Sequence, residues 1–304
     1  FLGCGSSYMV SCSLRDAAGA MTDLPVYAFA AGDLWLNHAR YRRQLSGAMV
    51  VAVSRSGRTS EILHAADALR ADGVEFTLCS LIAAVETPLG QRSAISVEIP
   101  WAFDESVCQT RSVSNLYAAG LSLLAAFAGD GTLPARLRKL AAEGPAYLRK
   151  AEPLMARIAK EGWNKAMVLA DGVCAGLATE GALAFQEMSQ LPGVQHHVLD
   201  VRHGPIVLVD EKTLVLVYLY PDGQPQQEAL IKDLQKKGAR VLVYSNLPRE
   251  IPGAESISLG ADVDEAPGGI AFLNLCQLAA YEKSMETGSD PDAPTGLDAW
   301  IQVN

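Results

Sequence analysis

The sequence predicts an α/β fold of two tandem, duplicated three-layer αβα domains with parallel sheets, spanning residues 1–133 and 134–304. Three observations carry this. Strand-like and helix-like runs alternate along the chain, which implies parallel sheets with helices on both faces. The elements then recur: Phe1-Leu-Gly-Cys-Gly5 matches Val168-Leu-Ala-Asp-Gly172, Ala48 to Gly57 matches Leu214 to Gly223, and the strand at Glu75 matches that at Arg240. All offsets are about 165 to 167 residues, a whole domain and not a solenoid repeat of roughly 20 to 50. Finally, 304 residues with 49% hydrophobic and 19% charged composition suffice for two packed domains and argue against disorder.

In chain order, Phe1-Leu2 reads as the tail of a strand, and Gly3 to Ser7 as a turn into an Ala-rich helix through about Met21. Val26 to Ala30 is a short strand, and Asp33 to Asn37 begins a helix. Ala48 to Val53, Glu75 to Ser80 and Ala94 to Ile99 are strands, with a helix over Glu61 to Ala71 and a long apolar one over Ser112 to Phe127. Gly129 to Pro134 reads as a linker, followed by a helical passage to about Glu161. In the second half, strands are expected at Met167 to Ala170, Thr213 to Leu219, Ala239 to Tyr244 and Ile257 to Leu259. Helices are expected over Leu177 to Gln190, Gln226 to Lys237 and Gly269 to Met285.

The most informative stretch is Val50 to Glu61, a buried-type strand breaking into a turn that carries Ser54, Ser56, Thr59 and Ser60, with Gly57 at the bend. A helix follows at once. Such a turn presents hydroxyls, backbone N–H groups and a helix N-terminus to an anion, here with Arg55 and Arg58 beside it. The simpler reading is N-capping, for which Ser and Thr are favoured anyway. One hydroxyl would satisfy a cap; this number of hydroxyls, with two arginines and a glycine, exceeds that need.

The formal net charge of −9 argues against a nucleic-acid or anionic-membrane binder, so an anionic ligand must be held by local groups. Six cysteines are scattered without a CxxC pair or metal-ligand spacing, which implies a reduced, cytoplasmic protein. Cys79 and Cys276 read as small core residues, and Trp35, Trp101 and Trp163 as core or interface. No apolar run approaches the roughly 20 residues that span a bilayer. The chain begins mid-strand without Met, so its natural N-terminus is expected to lie upstream.

The two halves are not functionally even. Where the first has Ser54-Arg-Ser-Gly-Arg-Thr59, the second has Tyr220-Pro-Asp-Gly-Gln-Pro225, with an Asp and two prolines that donate no N–H. One anion site per chain is expected, beyond the carboxyl ends of the first half's strands.

Gly3-Cys-Gly-Ser-Ser7 followed by Ser54-Arg-Ser-Gly-Arg-Thr59 resembles the sugar isomerase (SIS) domain family. Glu180 to Ser189 and Arg202-His-Gly-Pro205 are similar to the isomerase half of glucosamine-6-phosphate synthase, and Gly288 to Pro294 to the galactosamine-6-phosphate deaminase and ketose–aldose isomerase branch. The resemblance implies a flavodoxin-like fold and a six-carbon sugar 6-phosphate as ligand. It implies that Ser54, Arg55, Ser56, Gly57 and Thr59, with Ser7, hold the phosphate, and that Cys4, Gly5 and Ser6 line the sugar. Glu105, Cys108 and Thr110 would form a further substrate-facing loop. Glu187 would move a proton between C1 and C2, and His203 would open the ring from the neighbouring subunit of a homodimer. The reaction implied is aldose–ketose isomerisation or amino-sugar-6-phosphate deamination. A fructosamine-6-phosphate deglycase shares the chemistry, and a non-catalytic sugar-phosphate sensor is the alternative class. These residues include no stretch resembling a glutamine-hydrolysing domain, so the synthase activity is not expected unless that domain is encoded elsewhere. The synthase's C-terminal Lys is replaced by Ala299, and no Lys follows Lys283, which argues against a lysine imine.

The residues bear independent weight. Glu187 follows Glu180 by seven residues, two helical turns, so both share a face separated by apolar Ala182 to Phe185. Burial there would raise a carboxyl toward the range of a general base; two solvated acids is the plainer alternative. His203 before Gly-Pro suits proton delivery near neutrality or a structural turn. His196 and His197 lack helix-face spacing with it, so neither a metal nor another cofactor is expected.

Overall fold

The structure is a computed structural model and describes residues 1–298. The first set of elements is β1 (Leu2–Gly3), α1 (Ser6–Met21), β2 (Phe29–Ala30), α2 (Ala31–Leu45), β3 (Met49–Ser54), α3 (Ser60–Ala71), β4 (Thr77–Ile82), the single-turn α4 (Pro88–Arg92), β5 (Ile95–Glu98) and α5 (Arg111–Ala128). The second begins with α6 (Leu133–Ile158), β6 (Lys165–Leu169), α7 (Ala175–Glu187), β7 (Gly193–His196) and β8 (Thr213–Tyr218). It closes with α8 (Gln224–Lys236), β9 (Arg240–Ser245), β10 (Glu255–Ser258) and α9 (Glu265–Thr287).

Every strand pairing is parallel. The first sheet runs β2-β1-β3-β4-β5 and the second β7-β6-β8-β9-β10. Counted from the start of its own half, each sheet has the order 2-1-3-4-5, so the sequence repeat is a repeat of topology. The chain divides into compact units at Phe1–Gly129 and Asp130–Leu297.

Strand composition follows from burial on both faces. In β3 only Met49 is exposed, and all six residues of β8 are buried, which is why these strands read as unbroken apolar runs. In the first unit Ala52, Ile62, Leu69, Leu78 and Ile82 form one core with Leu34. In the second unit α9 is buried around most of its circumference, as a central helix hydrophobic on all sides must be. Tyr147 and Tyr244 satisfy their buried hydroxyls by donating to the carbonyls of Ala271 (3.0 Å) and Gly268 (3.1 Å) of that helix.

Two elements depart from the sequence reading. β7 was not anticipated, because Gly193-Val-Gln-His196 carries one apolar residue and pairs along one edge only. α4 is a single turn capped by Thr87, whose hydroxyl accepts the Gly90 N–H at 3.1 Å, too short to show a helical period. Cys79 and Cys276 are core residues, as is Trp163, whose indole N–H donates to the Ile158 carbonyl at 2.8 Å. Trp101 is 68% exposed and therefore not core. Among the described residues no helix is long and apolar enough to cross a membrane.

Candidate functional site

In a sheet of order 2-1-3-4-5 the crossovers leave the first and third strands toward opposite faces, opening a crevice at their carboxyl ends. β1 and β3 are these neighbours, paired at Leu2 and Ala52. The turn after β1 carries Cys4, Gly5, Ser6 and Ser7 and enters α1; the turn after β3 carries Ser54 to Thr59 and enters α3. The two hydroxyl-bearing turns predicted from sequence are thus adjacent, each ending on a helix N-terminus. Ser6, Ser7, Ser54 and Ser56 are all buried.

The second turn is internally braced. Gly57 N–H donates to Ser54 Oγ at 2.9 Å, Arg58 N–H to Ser56 Oγ at 3.2 Å, and Ser54 Oγ lies 3.5 Å from Thr59 Oγ1. Gly57 has φ +62°, and a Cβ there would run into the side chain of Thr87, so two constraints demand glycine. Thr59 is the N-cap of α3 yet its side chain makes no capping hydrogen bond. Capping therefore does not account for this hydroxyl. Arg58 is exposed at the rim.

Cys4 is half-buried at the start of α2. Burial and the Glu61 carboxylate push its thiol up to about 11, against a smaller pull from the N–H groups of Ala31 and Gly32. It lines the crevice as a neutral thiol.

Arg55 is buried, and its guanidinium points away from the turn. Nη1 donates to the carbonyls of Ser106 (2.6 Å) and Val107 (3.2 Å), and the guanidinium carbon lies 5.8 Å from the Phe103 ring centroid. The resemblance implies a phosphate ligand at Arg55; the geometry shows its Nη1 bracing the loop that bears Glu105, Cys108 and Thr110. Glu105 is exposed, Cys108 buried and Thr110 half-buried. The far end of this loop is set by Asp104, a residue the sequence analysis missed. Its Oδ2 accepts the N–H groups of Thr110 (2.9 Å) and Ser112 (2.7 Å), capping α5 from outside the helix. Nothing local marks Asp104, because it acts across six and eight residues.

The equivalent crevice of the second sheet is closed. Tyr220, which aligns with Ser54, accepts the Asp171 N–H and donates to the Asp171 carbonyl, both at 2.7 Å. Asp171 aligns with Cys4, and its Oδ1 takes the Val198 N–H (3.0 Å) and faces His197 Nδ1 (2.9 Å). A ring and a carboxylate stand where the first half has the Ser54 hydroxyl and the Cys4 thiol.

Glu187 and His203 belong to the second unit. α7 returns from the carboxyl edge of its sheet to the amino edge, since β6 and β7 are parallel, and Glu187 is its last residue. Gly181 sits where a Cβ would strike Cys276, which lets α7 lie close on α9. Glu187 is half-buried and Glu180 2% exposed, so the pair is not two solvated acids. His203 is exposed, its N–H donating to the Asp200 carbonyl at 2.8 Å, and its ring makes no hydrogen bond among the described residues. Its loop runs on to the same amino edge, where Lys165 donates to the Leu208 carbonyl at 2.7 Å. Close by in sequence to Glu187, Gln190 donates to the Thr295 carbonyl at 3.0 Å, tethering the tail. Ala299 lies outside the described residues, as do Trp300 to Val303, a terminal segment that from sequence would be expected to cover the site as a lid.

Lys283 is buried and committed: it donates to the Ala159 carbonyl (2.9 Å), pairs with Glu286 (2.8 Å) and lies over Trp163. Among the described residues no cluster of His, Cys, Asp and Glu could hold a metal ion.

No family model matches the chain. It is 25% identical over 320 residues to the isomerizing glutamine–fructose-6-phosphate aminotransferase of Caulobacter vibrioides, covering 99% of this chain and 51% of that protein. The Methanothermobacter thermautotrophicus protein of the same description is 24% identical over 319 residues, again covering 51% of its length. The chain thus spans about half the length of these curated relatives. Among solved structures it resembles glucosamine-6-phosphate deaminase from Thermotoga maritima, with a TM-score of 0.85 and 23% identity over 99% of this chain and 89% of that one. It also resembles tagatose-6-phosphate ketose/aldose isomerase from Escherichia coli, with a TM-score of 0.85 and 23% identity over 97% and 84% of the two chains. These likenesses agree with the two-sheet parallel α/β architecture.

Proposed function

We propose that the protein is a phosphosugar isomerase or amino-sugar-6-phosphate deaminase acting on an open-chain hexose 6-phosphate. The observation that carries this reading is the pairing of two hydroxyl-rich turns, each leading into a helix N-terminus, at the β1/β3 switch point, where the corresponding turns of the second sheet are bridged by Tyr220. The similarity to isomerizing aminotransferases and to phosphosugar enzymes supports a sugar phosphate as the ligand class.

In this reading the first domain binds and the second reacts. Ser54, Ser56, Thr59 and the backbone of the turn take the phosphate, and Cys4 to Ser7 line the sugar. Glu187 removes the proton beside the carbonyl carbon and returns it to the neighbouring carbon, passing through an enediol, or through an enolamine when nitrogen departs. The developing oxyanion is met by N–H and hydroxyl donors of the Ser6-Ser7 turn. The exposed His203 ring serves the site of a second copy in a homodimer, delivering a proton to the ring oxygen. Lys283 is engaged elsewhere, in keeping with a route that uses no lysine imine.

The test is incubation with a panel of hexose 6-phosphates, amino-sugar 6-phosphates and fructosamine 6-phosphates, reading ketose, ammonia and free amine. Turnover of one class is expected and names the reaction. Saturable binding with no product in any channel would overturn the enzyme in favour of a sugar-phosphate sensor.

A further inference from the structure

Arg55 lies between two buried hydroxyl residues of the anion turn, yet its guanidinium leaves that turn for the neighbouring loop. It donates to the carbonyls of Ser106 and Val107 and lies against Phe103. The same loop is held at its other end by Asp104, which fixes the start of α5 through Thr110 and Ser112. Ser112 locks that end further by donating to the Ala102 carbonyl (2.8 Å) and accepting the Asp104 N–H (2.9 Å). The segment between these anchors, 105–109, therefore takes its position from Arg55, and Arg55 takes its position from Ser54 and Ser56.

We propose that Arg55 is a positioning residue that makes the 103–110 loop answer to occupancy of the anion turn. A phosphate bound at Ser54 to Thr59 then orders the loop facing the sugar, and binding energy from the unreactive end of the ligand is expressed in turnover. The chemistry suits arginine. The two N–H groups of Nη1, fixed in the guanidinium plane, hold two adjacent carbonyls at once, whereas lysine offers a point charge on a flexible stem. This inference rests on the reading of the turn as a phosphate site.

The experiment compares the wild type with Arg55→Met and Arg55→Lys. Amide exchange of the peptide over residues 101–112 is followed by mass spectrometry with and without inorganic phosphate, alongside phosphate affinity and steady-state kinetics on the active hexose 6-phosphate. In the wild type, phosphate is expected to slow exchange in this peptide. Arg55→Met should bind inorganic phosphate within about 5-fold of wild type, lose that slowing, and drop kcat at least ~10-fold with little change in KM. Arg55→Lys should recover part of both. Loss of phosphate affinity by about 100-fold in Arg55→Met, with loop exchange unchanged, would overturn the proposal and make Arg55 a direct anion ligand. Should Arg55→Met fail to fold, wild-type exchange and kcat in Arg55→Lys would overturn it equally. A wild type that binds no inorganic phosphate overturns the phosphate reading itself. A binding, active wild type whose loop ignores phosphate overturns the role of Arg55 alone.

Discussion

Tyr220 Oη sits 2.7 Å from both the amide nitrogen and the carbonyl oxygen of Asp171, bridging the two turns that align with those bearing Ser54 and Cys4 in the first half. Gln227 pins the tyrosine by accepting its N–H at 2.9 Å and donating to its carbonyl at 3.1 Å. The second crevice is part of the packing of its unit. Calorimetric titration with a hexose 6-phosphate should therefore give one site per chain. Tyr220→Phe should leave that stoichiometry alone and lower stability by about 1 kcal/mol in a denaturant melt, because the half-buried Asp171 N–H loses its acceptor while the Asp171 carbonyl keeps only the Cys174 N–H at 3.1 Å.

The anion turn should be sensitive to single atoms. Ser54→Ala removes the acceptor for Gly57 N–H and one candidate ligand hydroxyl, and is expected to weaken phosphate binding by roughly 10-fold. Gly57→Ala should do worse. It meets Thr87 and forces a side chain into φ +62°, a strain of about 1–3 kcal/mol that either unfolds the turn or abolishes binding. Isothermal titration with inorganic phosphate, beside a thermal melt, separates these outcomes.

Glu187→Gln keeps the size of the side chain and removes the base. Sugar-phosphate affinity should stay within about 3-fold of wild type while kcat falls by roughly 100-fold or more, as removal of a general base requires. Undiminished turnover in this variant would sink the assignment of Glu187.

Cys4 should behave as a half-buried neutral thiol. Burial and Glu61 hold its pKa up to about 11, so alkylation by iodoacetamide should be slow at pH 8 and accelerate only as pH climbs toward that value. Inorganic phosphate in the crevice should slow it further. Mass spectrometry of the peptide bearing Cys4, across a pH series, reads both effects.

Acid should weaken the second unit through Glu255. Burial works to raise its carboxyl, but Arg157 and Arg240 donate to it and hold it below the ordinary range. A folded pKa below the unfolded value of ~4.3 means that this stabilisation is present above ~4.3 and is lost as pH falls through the folded value. Glu255→Gln should therefore narrow the difference in denaturation midpoint between pH 7 and pH 3.

Much of this was legible in the chain. The order of strands and helices, the offset between the halves and the burial of β3 and β8 follow from local apolar runs, which sequence records directly. β7 was not legible, because an edge strand with one apolar residue has little pattern to show. Within the site, the hydroxyls of Ser54, Ser56 and Thr59 announce themselves by clustering. Asp104 does not, because its role depends on a loop folding back to a helix start.

The duplication, the hydroxyl-rich turn and the replacement of Ser54 by Tyr220 in the second copy were determined by sequence alone, since each is a matter of residue type and spacing. The tertiary structure decided that Thr59 leaves its hydroxyl out of capping, that Arg55 grips the Ser106 and Val107 carbonyls, and that Tyr220 closes the second crevice onto Asp171. It also set Glu187 at the amino edge of its own sheet. These facts turn on where buried donors find acceptors, and such pairings are made through space between segments that the chain keeps far apart.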